Sequence, residues 1–293
     1  MIKSASKLIL GTAQFGLNYG INNSRGKPTN EEVQAILGHA FDKGVVSLDT
    51  AEAYGDAQER IGEFHKNSNK RFNVITKYSS KIDLPAQIGF RVEHNLRTLN
   101  IDKLYSYMFH SIDDYKLHFP LFQTDLAKMI STDLISKIGV SVYTNDEALQ
   151  ILNDDSIRLI QMPFNLLDNI NKRKYVLETA KKRGVEVHTR SVFLQGLFFK
   201  DIISLPENLK DLELYLNYIS FLQEKYNIKV QDLALNYVVK QDLISKVLLG
   251  VDNIEQLDVN LNSLQSHFSE SIMKDVNGID IINVKLLNPV NWK

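Results

Sequence analysis

Four side chains in this sequence have the types needed to deliver a proton to a carbonyl oxygen: Asp49, Tyr54, Lys77 and His110. A phenol, with an ordinary pKa of about 10, is a weak acid near neutrality. A neighbouring ammonium favours the phenolate and lowers that pKa. A carboxylate can hold the ammonium in place, and an imidazole can donate a hydrogen bond to the carbonyl or share in proton transfer. None of the four can supply a hydride, so carbonyl reduction by this set requires a cofactor. Each has a plainer role when taken singly. Asp49 could cap a turn, Tyr54 could pack, Lys77 could be solvated, and His110 could satisfy a backbone carbonyl.

Acting together requires a scaffold that gathers them. Asp49 ends the run Val45-Val46-Ser47-Leu48-Asp49, and Tyr54 lies in the loop that follows. Lys77 ends Phe72-Asn73-Val74-Ile75-Thr76-Lys77, and His110 ends Leu104-Tyr105-Ser106-Tyr107-Met108-Phe109-His110. In a barrel of parallel strands such run ends share one rim, where these folds place their chemistry. Leu8–Thr12, Ser136–Val140, Ile157–Gln161, Val185–His188 and Lys246–Leu249 complete a set of eight strand-like runs. Those from Asp49 to Ser141 are spaced by roughly 30 residues, the size of one βαβ unit. An α/β (β/α)8 TIM barrel is therefore the leading architecture, with a doubly wound open sheet as the alternative.

Helix starts fit this register. Thr29, Thr144 and Asp252 each stand three residues before a glutamate, the spacing of a capping box. The stretch Asp201 to Asp242 exceeds one barrel connection and holds two helical patterns, near Leu209–Lys225 and Val230–Lys240. One of them is an extra helix or part of a lid. Without a Pro/Gly/Ser-rich linker, residues 1–293 are expected to form one domain, with a tail after about residue 264.

The 293 residues are 44% hydrophobic and 24% charged, with a formal net charge of −1. That balance gives no broad electrostatic reason to bind nucleic acid or an anionic membrane. With no cysteine, disulfides, thiolate metal sites and cysteine nucleophiles are excluded, and no metal site is read. The opening Met1–Lys7 is too short for a signal-peptide core, and no apolar run is long enough to span a bilayer. A cytoplasmic protein is expected.

Gly11-Thr12-Ala13-Gln14-Phe15-Gly16 and Leu48-Asp49-Thr50-Ala51-Glu52-Ala53-Tyr54-Gly55 resemble the opening strand and the Asp-Thr-Ala-x-x-Tyr-Gly motif of the aldo/keto reductase family. Ile75-Thr76-Lys77 and Phe109-His110-Ser111 match the segments carrying its lysine and histidine. Gly139-Val140-Ser141, Gln161-Met162-Pro163-Phe164-Asn165 and Ser191-Val192-Phe193-Leu194-Gln195-Gly196-Leu197 follow in family order, so the resemblance covers about Leu8 to Leu264. It implies a (β/α)8 barrel and reversible carbonyl reduction by a nicotinamide cofactor, with Tyr54 as general acid. It also implies a cofactor bed of Gly11, Thr12, Ser141, Gln161, Arg190, Ser191, Phe193, Gly196, Gly250, Asp252, Gln256 and Asn260.

The chain departs from the pattern at three places. Ser141-Val142 stands where many members have Ser-Asn, which removes one polar contact to the carboxamide that Gln161 would hold. Arg190 takes a position often filled by an aromatic that stacks on the nicotinamide; a planar guanidinium can also stack, or it could pair with a rim carboxylate. Asp252 stands where NADPH-preferring relatives place a cation. It would repel the 2′-phosphate of NADP(H), while a carboxylate can accept hydrogen bonds from the ribose diol of NAD(H). Asp252 could equally serve as the cap of the last helix. Lys246, inside the strand, is a poor substitute cation. NADP(H) is thus the cofactor by resemblance, with NAD(H) admitted by Asp252.

The substrate class is a small aldehyde, ketone or sugar. Candidate pocket walls are Phe15, Tyr19, Tyr54, Tyr78, Phe193 and the tail Asn288-Pro289-Val290-Asn291-Trp292-Lys293. Gln14, Asn18 and Asn22 would suit a hydroxylated substrate, and Gly16, Gly20 and Gly26 allow bends in the first long loop. Two rival functions remain: a Schiff-base aldolase through Lys77, and a nicotinamide-binding regulatory or scaffold subunit with little turnover. Oligomeric state is not legible in the sequence.

Overall fold

Short runs rich in β-branched and aromatic residues become eight strands in the computed structural model, which describes residues 5–18, 26–82, 84 and 87–292. Tyr19, Gly20, Asn22 and Lys293 lie outside the described residues. The strands are β1 (Leu8–Gly11), β2 (Ser47–Asp49), β3 (Asn73–Tyr78), β4 (Ser106–Phe109), β5 (Ile138–Ser141), β6 (Ile157–Pro163), β7 (Glu186–Arg190) and β8 (Lys246–Gly250). Each pairs in parallel with the next, and β8 returns to β1 to close the barrel. The open-sheet alternative is thereby discarded.

Alternation along the strands decides what faces the barrel axis. Ile75, Met108, Leu159 and Ile9 form one small buried cluster, with Leu248 packed against it. Two residues further on, at the carboxyl ends, the same inward phase brings Lys77, His110, Gln161, Gly11 and Gly250 to the rim. An apolar plug thus fills the interior, and polar groups emerge above it. The opposite phase, including Leu48, Val74, Val140 and Ile160, belongs to the larger core that packs under the helices.

Thr29 and Thr144 each form the expected capping box, with Glu32 and Glu147 respectively. The third expected cap is corrected. Asn253, not Asp252, caps the helix Ile254–Ser263, accepting the Gln256 backbone N–H at 2.8 Å. Asn253 has the extended backbone that a cap needs, whereas Asp252, in the bend after β8, lines the cavity.

The long stretch before β8 holds the helices Glu213–Tyr226 and Val230–Val239, as the periodicity suggests. Beyond residue 264, the helix Glu270–Asn277 and the turns Val284–Leu287 and Pro289–Trp292 follow. Ile272, Val276, Leu286 and Leu287 join the same core as the barrel. Trp292 packs on that core and donates its indole N–H to Leu286 O at 2.9 Å. Among the described residues, no helix is long and apolar enough to cross a membrane.

Candidate active site

Two βα loops meet backbone to backbone at the rim, and this contact fixes Tyr54. Gly16 follows β1 and Gly55 follows β2; a Cβ on Gly16 would stand 1.8 Å from Tyr54 O. Gly55 adopts φ +54, a conformation that side chains rarely take. Between them Tyr54 sits in a hydrogen-bonded turn, its N–H on Ala51 O at 3.0 Å and its O receiving the Ala57 N–H at 3.1 Å.

Beneath this loop Glu52 is tied down from several sides. Its side chain is 1% exposed and accepts from Arg91 Nη1 at 2.7 Å, Tyr107 OH at 2.7 Å and Asn95 Nδ2 at 2.9 Å. The Glu52 backbone N–H bonds Lys77 O at 3.1 Å. A buried carboxylate paired and hydrogen-bonded in this way avoids the cost of an orphaned charge. The loop bearing Tyr54 is therefore anchored to β3, to β4 and to the helix Ile88–Leu99.

Asp49 and Lys77 form an ion pair in which each side chain is 1% exposed. Lys77 also donates to Thr50 O at 3.1 Å, and its Nζ lies 5.2 Å from the centre of the Tyr54 ring. Burial works against the ammonium, but the Asp49 carboxylate and the Tyr54 hydroxyl outweigh it and hold the Lys77 pKa above its ordinary value. A lysine so held is charged and has no free pair for Schiff-base attack. The His110 ring stands edge-on to Tyr54 at 5.7 Å. Burial, followed by the charge of Lys77, lowers the His110 pKa to about 4, so the ring is neutral at pH 7. Gln161 Nε2 donates to the other Asp49 oxygen at 2.8 Å. Together the four groups offer a phenol beside a fixed ammonium and a neutral imidazole beside the phenol.

A cavity of about 420 Å³ opens from this cluster across the ends of β1, β7 and β8. Asp49, Tyr54, Gly11, Thr12, Gln161, Arg190, Ser191, Phe193, Gly196, Gly250, Asp252, Gln256 and Asn260 all line it. Lys77, His110 and Ser141 do not. Lys77 and Ser141 are buried at the strand ends, and His110 stands against Tyr54. Two expected walls are corrected. Phe15 is fully buried in the core, and Tyr78 packs on Phe109, His118 and Phe122. The reason is phase: Lys77 faces the axis, so its neighbour Tyr78 must face outward.

Gln14 and the tail, both singled out in the sequence, reach the cavity, and Gln231 and Tyr143 join them without having been singled out. Gln14 reaches across Gly250 so closely that a Cβ there would meet its amide at 2.1 Å. Gln231, from the helix Val230–Val239, donates to Asn260 Oδ1 at 2.8 Å. Pro289 and Val290 of the tail reach the cavity, whereas Trp292 does not line it. Of the two not singled out, only Tyr143, two residues beyond the inward-facing Ser141, carried a readable signal in its position.

Arg190 lies over the Tyr143 ring at 4.1 Å and donates to Val142 O at 3.3 Å. The possible rim salt bridge is absent; among the described residues no carboxylate pairs with it. Tyr143 is itself held, since Arg173 donates to its carbonyl at 2.7 Å and makes a bidentate pair with buried Asp168. The loop that follows Arg190 is strained, with left-handed backbone at Ser191, Leu194 and Gln195.

The last loop faces the cavity with a carboxylate and two amides. Asp252 Oδ2 accepts from Gln256 Nε2 at 3.3 Å, while Asp252 Oδ1 is buried without a hydrogen-bond partner. An orphaned buried acceptor at a cavity wall fits a ligand that brings hydroxyl donors. Lys246 lies at the far end of its strand, donating to Ser6 O at 2.5 Å, and is no counter-ion for this loop. Among the described residues, no group of three or more acidic or imidazole side chains could hold a metal ion.

Comparison with known proteins follows the same lines. The model of the aldo/keto reductase family matches residues 7–281. The L-glyceraldehyde 3-phosphate reductase of Escherichia coli K12 is 23% identical over 278 residues, covering 80% of each chain. The uncharacterized oxidoreductase YqkF of Bacillus subtilis is 24% identical over 285 residues, covering 82% of this chain and 89% of its own. An aldo-keto reductase of Bacillus halodurans, solved in its holo form, superposes with a TM-score of 0.74 at 19% identity, covering 94% of this chain and 92% of its own.

Proposed function

This chain belongs to the aldo/keto reductase family and is an oxidoreductase of small carbonyl compounds, and we propose that it reduces aldehydes or ketones with a nicotinamide cofactor, using Tyr54 as the proton donor. The observation that carries this reading is the buried Asp49–Lys77 pair set against Tyr54, with a neutral His110 at its edge. A reduced nicotinamide, when bound, supplies the hydride. Lys77 stabilises the phenolate left when Tyr54 gives its proton to the carbonyl oxygen. Asp49 keeps Lys77 charged and in place. His110, neutral, offers a hydrogen bond that orients the same oxygen. Removal of water from these buried groups strengthens each interaction.

The cavity residues suit the cofactor. Gln161, with Ser141 buried beside it at the end of β5, would hold its carboxamide, and Gly11, Thr12, Ser191, Phe193, Gly196 and Gly250 its middle. Gln256 and Asn260 would meet its adenine. The unpartnered Asp252 Oδ1 supports acceptance of a ribose diol, so the preference for NADP(H) is weakened and NAD(H) is admitted. The chain works as one barrel domain in the cytoplasm, its tail closing one side of the cavity. A test is to follow oxidation of NADH and NADPH against a panel of neutral and hydroxylated aldehydes. Turnover with comparable KM for the two cofactors is expected. No turnover with any aldehyde would return the regulatory-subunit reading, and strong NADPH selectivity would sink the role given to Asp252.

A further inference from the structure

Among the described residues, Arg190 is the one cationic side chain lining the cavity, and no carboxylate forms an ion pair with it. Asp49 is paired with Lys77, Asp168 with Arg173, and Asp252 contacts Gln256. The guanidinium cannot swing freely into solvent. It rests on Tyr143, its Nη2 is bonded to Val142 O, and Tyr143 is anchored through Arg173. Its charge also reaches the reaction centre, where it is one of the groups that disfavour protonation of His110.

We propose that Arg190 makes this site select the reduced form of a nicotinamide cofactor over the oxidised form. The inference rests on the nicotinamide-dependent reading given above. Hydride transfer needs the donor carbon within about 3–3.5 Å of the carbonyl carbon. The carbonyl oxygen must at the same moment be at Tyr54. Tyr54 and Arg190 line the same cavity, and the Arg190 charge is felt at His110, which stands against Tyr54, so a ring held at Tyr54 lies within reach of that charge.

The two redox states differ there by one charge. The reduced ring is neutral and electron-rich, and a guanidinium attracts such a face. Hydride leaves it with two electrons for the carbonyl carbon, the Tyr54 proton goes to the oxygen, and the alcohol is formed. The ring is then a cation, which Arg190 repels. The overall equilibrium is unchanged: the cost falls on the hydride step and is recovered when the oxidised form leaves. What changes is occupancy, because reduced cofactor fills the site and oxidised product clears it.

Contacts with the cofactor's phosphates and adenosine are common to both forms and cancel in the ratio of their dissociation constants. That ratio is therefore the readout. Kd for NADH and for NAD+ would be measured by calorimetry on the wild-type protein, on Arg190→Met and on Arg190→Lys. The wild type should bind NADH more tightly than NAD+. Arg190→Met should narrow the ratio by about tenfold, or 1.4 kcal/mol, mainly through tighter NAD+ binding. This corresponds to about 30 mV for a two-electron couple. Arg190→Lys should keep most of the preference. An unchanged ratio in Arg190→Met, or Lys and Met variants that behave alike, would overturn the inference. If the Met variant fails to fold by circular dichroism, Arg190→Gln takes its place in the same comparison. A wild-type protein that binds neither form refutes the nicotinamide reading itself and this inference with it.

Discussion

Replacing Asp49 by asparagine leaves Lys77 in a site where it is 1% exposed with its counter-charge gone. The acceptors that remain are Thr50 O at 3.1 Å and the Tyr54 hydroxyl. Removing one partner of a buried pair typically costs about 3–5 kcal/mol. The ammonium can escape by losing its proton, and at pH 7 that route costs about 1.4 kcal/mol for each unit below its ordinary pKa of 10.5. The ceiling is therefore about 4–5 kcal/mol, which agrees with the general range. The sign with pH is fixed. In the wild type the folded pKa of Lys77 is raised, so the pair's contribution is fully present below 10.5 and is lost as pH rises through the folded pKa. In Asp49→Asn burial wins and the folded pKa drops below the unfolded one. The variant then gains stability, relative to wild type, by up to about 1.4 kcal/mol per pH unit between pH 7 and 9. Urea denaturation at pH 7, 8 and 9 would measure it. The double variant Asp49→Asn with Lys77→Met, which leaves no buried charge, should be more stable than Asp49→Asn alone. A loss below about 1 kcal/mol that does not change with pH would refute the argument.

Other expectations concern the neighbours of this pair. Gly16→Ala forces a methyl onto Tyr54 O and should cost about 1–3 kcal/mol or more together with a fall in kcat. Gly38→Ala serves as the control, since its nearest heavy atom would be 3.9 Å away and a helical alanine is favoured over glycine; unfolding curves and turnover of the two variants check this. His110, with its pKa lowered to about 4, should make stability fall as pH drops from about 6.5 toward 4, and His110→Asn should flatten that slope in a pH series of melting curves. Asp252→Ser removes a carboxylate from the adenosine end and should improve KM for NADPH relative to NADH by about tenfold, the scale of one unit-charge repulsion partly screened by water. Equal cofactor ratios in the Asp252→Ser and wild-type proteins would remove Asp252 from specificity.

The barrel and the gathering of the four candidate side chains were legible because both depend on local phase. Asp49, Lys77 and His110 stand at or just beyond strand ends, and alternation alone predicts that their side chains share a face with Gln161. The capping boxes at Thr29 and Thr144 were equally local. The failures came where a shift of one residue, or a contact between distant segments, decides the outcome. Asp252 and Asn253 are both good caps by type, and only the residue at which the last helix starts decides which of them serves. Tyr78 reads as a wall until its phase relative to Lys77 is taken seriously. Gln231 reaches the cavity through packing of the helix Val230–Val239, which no spacing in the sequence encodes. The same holds for Glu52, whose partners Arg91, Asn95 and Tyr107 come from two other elements, and for the Tyr143 ring under Arg190.

The most direct test of the account is Tyr54→Phe, which removes one hydroxyl and keeps the ring packed against His110. Steady-state carbonyl reduction and cofactor binding would be measured on the same preparation. Loss of a positioned general acid typically costs about 10²–10⁴ in rate, so turnover should fall by that factor while Kd for NADH stays within about twofold. Turnover that survives the substitution would show that the proton comes from another group, and the role given to Lys77 and Asp49 would fall with it.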